Sequence, residues 1–342
     1  FFKAEDGIRD CLLSRGLGDV YKRQILESAL RAKKKLSIDE HKKYLGKMYS
    51  RFSKVAAKNP DGWSQKDLDW EDIANVDKKN TLQALPYNKF HCTSWNVNQA
   101  SAMIICSEEI ADELNIPQSK RVYPLASSET NHMIAAIQRP NLIKPIGLQL
   151  AADYILEICD QNNIKPNAFE LYSCFPVAVQ MFAEALQLKN NENFTVTGGM
   201  SFAGGPLNSY MIQSTVKMLA NIRNVPSTVG LITGVSGMMT KQAFALWAKD
   251  PLINFSSKDV TASAAAAEKP VALSKIKEGS GVIIGYTVLP KNHTNIKKAV
   301  IYIEDTNGDR KVLISYDEVI LDKMGEEEWV GKSINFKDDY LV

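Results

Sequence analysis

The stretch that decides the fold is residues 194–209, which read Phe-Thr-Val-Thr-Gly-Gly-Met-Ser-Phe-Ala-Gly-Gly-Pro-Leu-Asn-Ser. Its first four residues are rich in β-branched side chains and predict a short strand. Four glycines and a proline then form a loop, and apolar residues at helical spacing predict a helix from about Ser209. A loop that enters a helix aims backbone N–H groups at one point, which suits an anion or an oxyanion. The alternative is a tight strand-to-helix turn that binds no ligand.

Within this loop, residues 198–206 have the pattern Gly-Gly-x-x-x-x-Gly-Gly-Pro. The pattern resembles the thiolase loop Gly-Gly-x-x-x-x-Gly-His-Pro, which carries a catalytic histidine, and Gly205 stands at the histidine position. With the preceding threonine and the internal Phe-Ala, the loop is similar to the thiolase-like proteins of type 1, usually labelled acetyl-CoA acetyltransferases. The match covers residues 45–342. It implies an α/β class: the C-terminal half of a layered thiolase-like fold, with a mostly parallel sheet covered by helices, followed by a small all-β, barrel-like domain.

Composition sets limits on this interpretation. The chain has 342 residues, 45% of them apolar, and a formal net charge of +2. The charge gives no electrostatic footprint for nucleic acid. Five cysteines without a Cys-x-x-Cys pair argue for a reducing compartment and against both a disulfide framework and a metal cluster. Because no apolar run approaches the roughly 18 residues of a membrane span, and neither a signal peptide nor a terminal Ser-Lys-Leu tag is present, we expect a cytoplasmic protein.

The first 24 residues stand apart from the rest. They read FFKAEDGIRDCLLSRGLGDVYKRQ, with neither an initiator methionine nor the architecture of a signal peptide. The segment resembles a translated sequencing adapter, and we therefore exclude it from fold reasoning. The alternative is a genuine N-terminal helix. On the first interpretation Cys11 has no role, and the chain is a C-terminal fragment of a longer protein.

Residues 25–95 are predicted to be a remnant of the thiolase loop domain and a linker. The first part is helical and basic, and Pro60 ends it. A lysine face of this kind is usually only solvated. The resemblance implies a second role, because the loop domain of thiolases covers coenzyme A and a basic helix there meets its phosphates. Residues 61–95 are predicted to be a polar, irregular link.

Residues 96–255 alternate strands and helices, as in a thiolase C-terminal half. Residues 97–106 have the pattern of a buried strand, and Ser107 is predicted to cap a helix that follows it. Further strands are predicted at residues 122–125, 168–172 and 229–232, and helices at residues 146–159 and 177–187. Alternation of this kind predicts a largely parallel sheet covered by helices.

The character changes in residues 256–342, which are predicted to be an additional β domain. Strands are expected at residues 282–289, 299–304 and 311–316. The segment Asp-Thr-Asn-Gly-Asp at residues 305–309 joins the last two, and its Asn-Gly is the usual signal of a tight hairpin. It has some acidic residues of a calcium loop but lacks the glycine and glutamate spacing, so we favour the hairpin.

Three positions match thiolase catalytic residues, and all three are substituted. The segment Glu-Leu-Tyr-Ser-Cys-Phe at residues 170–175 resembles the Glu-Leu-His-Asp-Cys-Phe of sterol-carrier-type thiolases, so Tyr172 stands where His or Asn holds an oxyanion-hole water. A phenol can donate one hydrogen bond, although a tyrosine packed at a strand end is the alternative. Gly205 has no side chain to polarise a thioester. Thr233 matches the cysteine that moves a proton, and a hydroxyl group is a poor proton shuttle near neutral pH.

The resemblance also implies a substrate-binding set around these positions: Gly198, Gly199, Phe202, Gly204, Ser236 and Gly237. Cys174 matches a non-catalytic position and is expected to be inert packing rather than a nucleophile. The nucleophilic cysteine of thiolases lies in their N-terminal half, which this chain does not match.

Two functions stay open from the sequence. The first is a thiolase-like acyltransferase of lipid metabolism that acts on acyl-CoA thioesters, similar to an acetyl-CoA acetyltransferase and with weak or altered catalysis. The second is a non-catalytic protein of the same fold that binds acyl-CoA or lipid. Both have acyl-CoA as the partner, with coenzyme A entering as part of the substrate and no other cofactor or metal expected. A third interpretation is a fragment that cannot fold alone. The sequence leaves acyl chain length, second substrate and oligomeric state open.

Overall fold

The computed structural model describes residues 18–189, 193–236, 239–291 and 296–342. Residues 1–17, with Cys11, and Gly237 lie outside the described residues. The helices are α1 (Gly18–Lys33), α2 (Ile38–Ala57), α3 (Trp70–Ala74), α4 (Glu108–Glu113), α5 (Ile146–Gln161), α6 (Pro176–Ala185), α7 (Gly199–Phe202), α8 (Tyr210–Asn224), α9 (Thr261–Ala267) and α10 (Glu318–Glu326). The strands are β1 (Leu82–Ala84), β2 (Tyr87–Asn88), β3 (Tyr123–Thr130), β4 (Ala168–Glu170), β5 (Val229–Val235), β6 (Gln242–Ala248), β7 (Ser256–Asp259), β8 (Glu278–Leu289), β9 (Lys298–Asp305), β10 (Arg310–Ser315), β11 (Ser333–Lys337) and β12 (Tyr340–Leu341).

The main sheet has five strands in the order β4-β5-β6-β3-β7. β4 is parallel to β5 and β3 is parallel to β7, whereas β6 is antiparallel to both of its neighbours. The α/β class is thus confirmed, but the sheet is mixed rather than mostly parallel. The reason is the connection between β5 and β6, which is too short for the crossover that a parallel pair needs.

Helices cover both faces of this sheet. α5 lies over β3 and β6, with Ala151, Ala152 and Ile155 fully buried, as its apolar spacing predicts. α8 lies over β5, where Met218 and Ile222 pack against Ile232. Three layers therefore enclose a core, and loops follow the C-terminal ends of the parallel strands β4 and β5.

Two strand predictions in this half are wrong. Residues 194–197 form no strand, because the carboxylate of Glu170 takes the N–H groups of Val196 and Thr197 that a sheet would use. Residues 97–106 belong to no strand, and their side chains are half-buried or exposed rather than buried. The helix predicted after them is present as α4, and Ser107 caps it by accepting the N–H of Ile110.

The C-terminal strands close into a barrel in the order β10-β12-β11-β8-β9, with β10 parallel to β12. α10 lies between the third and fourth strands, which is the arrangement of an OB-type Greek-key barrel. The hairpin between β9 and β10 is confirmed: the N–H of Gly308 donates to the carbonyl of Asp305 over 3.0 Å. Gly308 has φ +82°, a left-handed angle that glycine adopts at low cost. The expected barrel-like domain is therefore present.

One face of the barrel is packed against the main body. Along β9, Ile301 and Ile303 point into the barrel core, while Val300 and Tyr302 join the main core. OB barrels use the outer face of their second and third strands to bind oligonucleotides. In this chain the β9 part of that face is buried against the main core, and Val312 of β10 is partly buried there.

Residues 256–267 and helix α1 each contact a different part of the chain: the main layer in the first case and the barrel in the second. β7 pairs with β3 in the main sheet, and α9 packs against α5, so residues 256–267 contact the main layer rather than the barrel. From α1, Arg31 forms an ion pair with Glu328 and donates to the hydroxyl of Tyr286 over 2.8 Å, which ties the helix to the barrel. Within the described residues, no helix is both long and apolar enough to cross a membrane.

Candidate functional site

Two of the three substituted positions, Tyr172 and Thr233, lie side by side at the C-terminal ends of β4 and β5. β4 and β5 are parallel, with Glu170 opposite Ile232, so their ends lie side by side. Tyr172 follows β4, and its backbone N–H donates to Oγ1 of Thr233 in β5 over 2.9 Å. Crevices outside the carboxyl ends of strands are the usual ligand sites of open α/β sheets. The edge that carries Tyr172 and Thr233 is therefore the candidate site.

The side chain of Tyr172 is half-buried and stands edge-on against the ring of Tyr210, with 5.8 Å between the ring centroids. Burial raises the pKa of the Tyr172 phenol, and the neighbouring Cys174 raises it further. The phenol is therefore neutral at ordinary pH and can donate a hydrogen bond. Among the described residues its hydroxyl group has no hydrogen-bond partner.

Thr233 is positioned differently. Its side chain is 1% exposed, and its hydroxyl oxygen accepts the N–H of Tyr172. A buried hydroxyl group engaged in this way fixes the backbone on which Tyr172 stands. The geometry gives Thr233 a positioning role and keeps its hydroxyl away from solvent.

Two residues before Tyr172, the carboxylate of Glu170 is buried, and the sequence alone did not indicate its role. Glu170 is 1% exposed and accepts hydrogen bonds from the hydroxyl of Tyr210 over 2.6 Å and from the N–H groups of Val196 and Thr197 over 2.8 and 2.9 Å. The hydroxyl groups of Thr195 and Thr197 also donate to it. Burial raises the pKa of Glu170, and these hydrogen bonds offset only part of the rise. The network locks the start of the glycine loop to the end of β4.

The first two glycines of the loop serve packing. Gly198 has φ +104° and lies against the backbone of Ala56, so that no side chain fits between the loop and α2. The N–H groups of Gly198 and Gly199 donate to the hydroxyl groups of Thr195 and Thr197 over 2.9 and 3.0 Å. These donors, which the sequence suggested for an anion, are satisfied within the protein. Phe202, in the same predicted set, is 1% exposed.

The last two glycines lie under a segment that we call the strap, residues 93–99. The N–H of Gly205 donates to the carbonyl of Ser94, and the N–H of Ser94 donates to the carbonyl of Met200. A Cβ atom on Gly205 would stand 2.7 Å from Cγ2 of Thr93 and 2.8 Å from Cε of Met200. One on Gly204 would collide with the side chain of Gln99, which itself donates to the carbonyl of Ala203 over 2.8 Å. The space that side chains at Gly204 and Gly205 would need is thus filled by the protein.

Ser236 follows β5 directly, before β6 begins. Ser236 is half-buried, its N–H donates to the carbonyl of Lys241, and its hydroxyl group is 3.3 Å from that of Thr240. Gly237 lies outside the described residues. Of the predicted positions that the structure describes, Tyr172 and Ser236 are therefore the ones that solvent reaches.

Two cysteines, Cys92 and Cys174, lie next to or contact the strap. Cys174 is 5% exposed, and its carbonyl accepts the hydroxyl of Thr93 in the strap. Burial raises the pKa of the Cys92 thiol to about 12. A thiol acts as a nucleophile through its thiolate, so Cys92 is inert at neutral pH. Within the described ranges no group of side chains could hold a metal ion.

Basic residues lie at the end of α2, which contacts the glycine loop through Ala56. Lys54 and Lys58 are exposed there, on the helix that the glycine loop touches. Asn59 donates to the carbonyl of Thr197 over 2.9 Å and accepts from Nζ of Lys217 over 2.7 Å. Positive charge is therefore held within a few residues of the glycine loop.

Sequence reasoning missed the Glu170 network and the strap. The Thr-Val-Thr that looked like a strand is in fact a set of hydroxyl donors for Glu170. The Thr-Ser at residues 93–94 carried no motif, because the Thr93 side chain and the Ser94 backbone contact segments that are distant in the chain. Neither device has a local pattern from which it could be found.

No protein-family model matches the sequence, and no curated protein matches it. Among solved structures, the chain is similar to a monomeric SCP2-thiolase like protein type 1 from Mycobacterium smegmatis, with 24% identity, a TM-score of 0.84, and coverage of 97% of this chain and 75% of that chain. It is also similar to an Ltp2-ChsH2(DUF35) aldolase, with 16% identity, a TM-score of 0.54, and coverage of 74% and 70%. The resemblance stated from the glycine loop is thereby confirmed for the fold, which is thiolase-like.

Proposed function

We propose that this chain binds acyl-CoA thioesters at the C-terminal edge of β4 and β5, as part of a thiolase-like acyltransferase of the acetyl-CoA acetyltransferase type with weak or altered catalysis. The observation that carries the proposal is the filling of the Gly205 site by Thr93 and Met200. The side chains of Tyr172 and Ser236 remain partly accessible, whereas a side chain at Gly205 has no space. Binding and chemistry are thereby separated.

Binding is supported by groups that remain accessible. The neutral phenol of Tyr172 and the hydroxyl of Ser236 can donate to a thioester or pantetheine oxygen. Lys54 and Lys58 supply positive charge for the phosphates at the end of α2. Phosphate groups are recognised by lysine as a point charge. We propose Tyr172 and Ser236 as ligand contacts, and the buried Gly198, Gly199, Phe202 and Gly204 as their support.

Catalysis is weak on this proposal because two working groups are absent. Loss of one oxyanion donor typically costs about 10²–10³ in rate, and a positioned acid or base contributes about 10²–10⁴. Gly205 provides no donor side chain, and Thr233 holds the backbone of Tyr172. We therefore expect a lower rate of acyl transfer, and the two costs do not simply add.

The second candidate is a non-catalytic acyl-CoA or lipid-binding protein. The strap favours it, because hydrogen bonds from both Thr93 and Ser94 hold residues 93–99 over the glycine loop. Because the strap holds the glycine loop in one conformation, the loop is better suited to form a rigid binding surface than to open for a second substrate.

The test combines two measurements on one protein preparation that includes the part of the fold supplying the nucleophilic cysteine. Isothermal calorimetry with coenzyme A is expected to show binding, and an acetoacetyl-CoA cleavage assay is expected to show little or no activity. Brisk cleavage would mean that other residues supply the lost groups and would overturn the weak-catalysis proposal. Absence of coenzyme A binding in a folded sample would overturn both candidates.

We propose the following setting for this activity. Residues 25–95 act as loop domain and linker, residues 96–255 as the thiolase-like half, and residues 256–342 as the additional domain. The nucleophilic cysteine is supplied by a part of the fold that this chain does not match. The protein works in the cytoplasm in lipid metabolism, with acyl-CoA rather than nucleic acid as its partner.

A further inference from the structure

Arg139 carries a positive charge that is buried without a counter-ion in contact with it. It follows a short helical turn at residues 136–138, and its side chain is 2% exposed. Its Nη2 group donates to the carbonyl of Met239, whereas Nη1 has no hydrogen-bond partner. None of the ion pairs among the described residues includes Arg139.

Packing alone does not account for this charge. Removing a guanidinium group from water is unfavourable unless an opposite charge and a full set of hydrogen bonds replace its hydration. Burial lowers the pKa of Arg139 to about 10, because the charges of Glu268 and Tyr302 offset only part of the effect. The side chain is still charged at neutral pH. A methionine of similar length would fill the same space without this cost.

The residue that Arg139 contacts has an unfavourable backbone conformation. Met239 lies between β5 and β6 with φ +53°, in the left-handed region that residues other than glycine seldom adopt. Such a conformation persists where the surrounding contacts impose it, and it is commonest at functional sites. The carbonyl oxygen of Met239 accepts from Arg139 and also from Nε2 of Gln242 over 2.8 Å. Gln242 is local, whereas Arg139 is 100 positions away and ties the turn to another part of the fold.

The same turn carries Ser236. The N–H of Met239 donates to the carbonyl of Ser236 over 2.9 Å, and the N–H of Ser236 donates to the carbonyl of Lys241 over 3.0 Å. A shift of Met239 would therefore move Ser236. We propose that Arg139 is a positioning residue for ligand binding, which holds the Met239 carbonyl so that the turn presents the hydroxyl of Ser236. The ligand in this proposal rests on the proposed function, whereas the hold of Arg139 on the turn does not.

Stability and affinity, measured together, separate positioning from packing. In Arg139→Met an apolar side chain replaces an unmatched buried charge, so we expect urea unfolding to show at least the stability of the parent. The Kd for coenzyme A is expected to rise about two- to tenfold, which corresponds to one hydrogen bond to the ligand. Arg139→Lys keeps a donor for the Met239 carbonyl and should restore most of the affinity. Lower stability with unchanged affinity in Arg139→Met would make the role purely structural and overturn the proposal.

A matched control and a double-mutant cycle complete the affinity measurement. Arg31 is 4% exposed but forms an ion pair with Glu328, so Arg31→Met should lower stability and leave the Kd unchanged. Ser236→Ala removes the hydroxyl that Arg139 is expected to position. If Arg139 acts through Ser236, adding Arg139→Met to Ser236→Ala causes no further loss of affinity. Independent losses that add in free energy would overturn the proposal.

Hydrogen exchange followed by mass spectrometry examines the turn without ligand. Peptides covering residues 236–242 are expected to exchange on the order of tenfold faster in Arg139→Met than in the parent, and peptides covering residues 310–315 of the barrel to exchange equally in both. Equal exchange of the turn in the two proteins would refute the hold of Arg139 on it. A parent that binds no coenzyme A would overturn the proposed function, and the exchange result would still decide whether Arg139 fixes the turn.

Discussion

The backbone N–H of Tyr172 donates a hydrogen bond to Oγ1 of Thr233 over 2.9 Å, across the ends of two parallel strands. Thr233 stands at the position where the resemblance places a proton-moving cysteine. Its hydroxyl group is buried and holds the loop that presents the Tyr172 phenol. Thr233 thus has a structural role, and the phenol of Tyr172 is the polar group of this pair that solvent reaches.

We expect Thr233→Val to destabilise the protein by about 1–3 kcal/mol, because the buried N–H of Tyr172 loses its acceptor without a change in side-chain volume. Thr233→Ser keeps the oxygen and serves as the matched control, with a smaller loss. Urea unfolding followed by circular dichroism measures both. Equal stability of the valine variant and the parent would show that the bond contributes nothing.

Restoring the histidine is expected to fail. In Gly205→His the new side chain meets Cγ2 of Thr93 and Cε of Met200 at 2.7 and 2.8 Å from its Cβ. Overpacking of this kind costs typically about 1–3 kcal/mol. We expect lower stability in urea unfolding and no gain in acetoacetyl-CoA cleavage.

The control for this prediction is Gly325→Ala in α10, where a Cβ would lie 3.7 Å from Leu85, an ordinary contact. Alanine in a helix interior is favoured over glycine by roughly 0.5–1 kcal/mol, so this variant should not be destabilised. A Gly205→His protein as stable as the parent would mean that the strap moves aside at little cost.

Local patterns in the sequence were enough for much of the fold. The helical spacing in residues 146–159 and the Asn-Gly at residues 307–308 each depend on neighbours in the chain, and both predictions are confirmed. The glycine loop led to the thiolase-like fold because its pattern is long and ungapped. These are features for which local chemistry decides the outcome.

The errors have one physical origin, which is competition from distant partners. Residues 194–197 have strand propensity, but a carboxylate 26 positions away takes the N–H of Val196. The buried-strand pattern of residues 97–106 is real, yet no sheet partner for it is present among the described residues. For the candidate site, residue types could be matched to positions. The sequence could not predict that Thr93 and Met200 occupy the space beside Gly205, because this depends on where the strap lies.

Glu27 is expected to make the protein sensitive to acid. Burial raises the pKa of Glu27. Hydrogen bonds from His41, Tyr87 and Gln180, together with the charge of His41, lower it by more than burial raises it, so the pKa lies below the ordinary 4.5. A lowered carboxylate pKa contributes stability that is complete above about pH 4.5 and is lost as the pH falls through the folded-state pKa. The stability gap between the parent and Glu27→Gln should therefore narrow on acidification. Glu326→Gln, an exposed carboxylate on α10, is the control, and a gap independent of pH would contradict the prediction.

Glu170 is expected to act in the opposite direction. Its pKa is raised above 4.5 by burial, so between pH 4.5 and the folded-state pKa the folded protein binds more protons than the unfolded chain. Stability therefore decreases as the pH rises through this window. Urea unfolding at a series of pH values should show this slope in the parent and not in Glu170→Gln. A parent whose stability rises with pH across the window relative to that variant would reverse the assignment.

The lysines at the end of α2 are expected to contribute to coenzyme A affinity through charge. We predict that Lys54→Glu with Lys58→Glu raises the Kd for coenzyme A about tenfold, which corresponds to about 1.4 kcal/mol. Lys35→Glu with Lys42→Glu reverses two exposed charges near the start of the same helix and should change the affinity little, because the glycine loop contacts the other end through Ala56. The difference should shrink in 1 M salt, where the screening length falls from about 10 Å at 0.1 M to about 3 Å. Calorimetry at both salt concentrations makes the measurement, and an equal effect of the two double variants would show that the phosphates bind elsewhere.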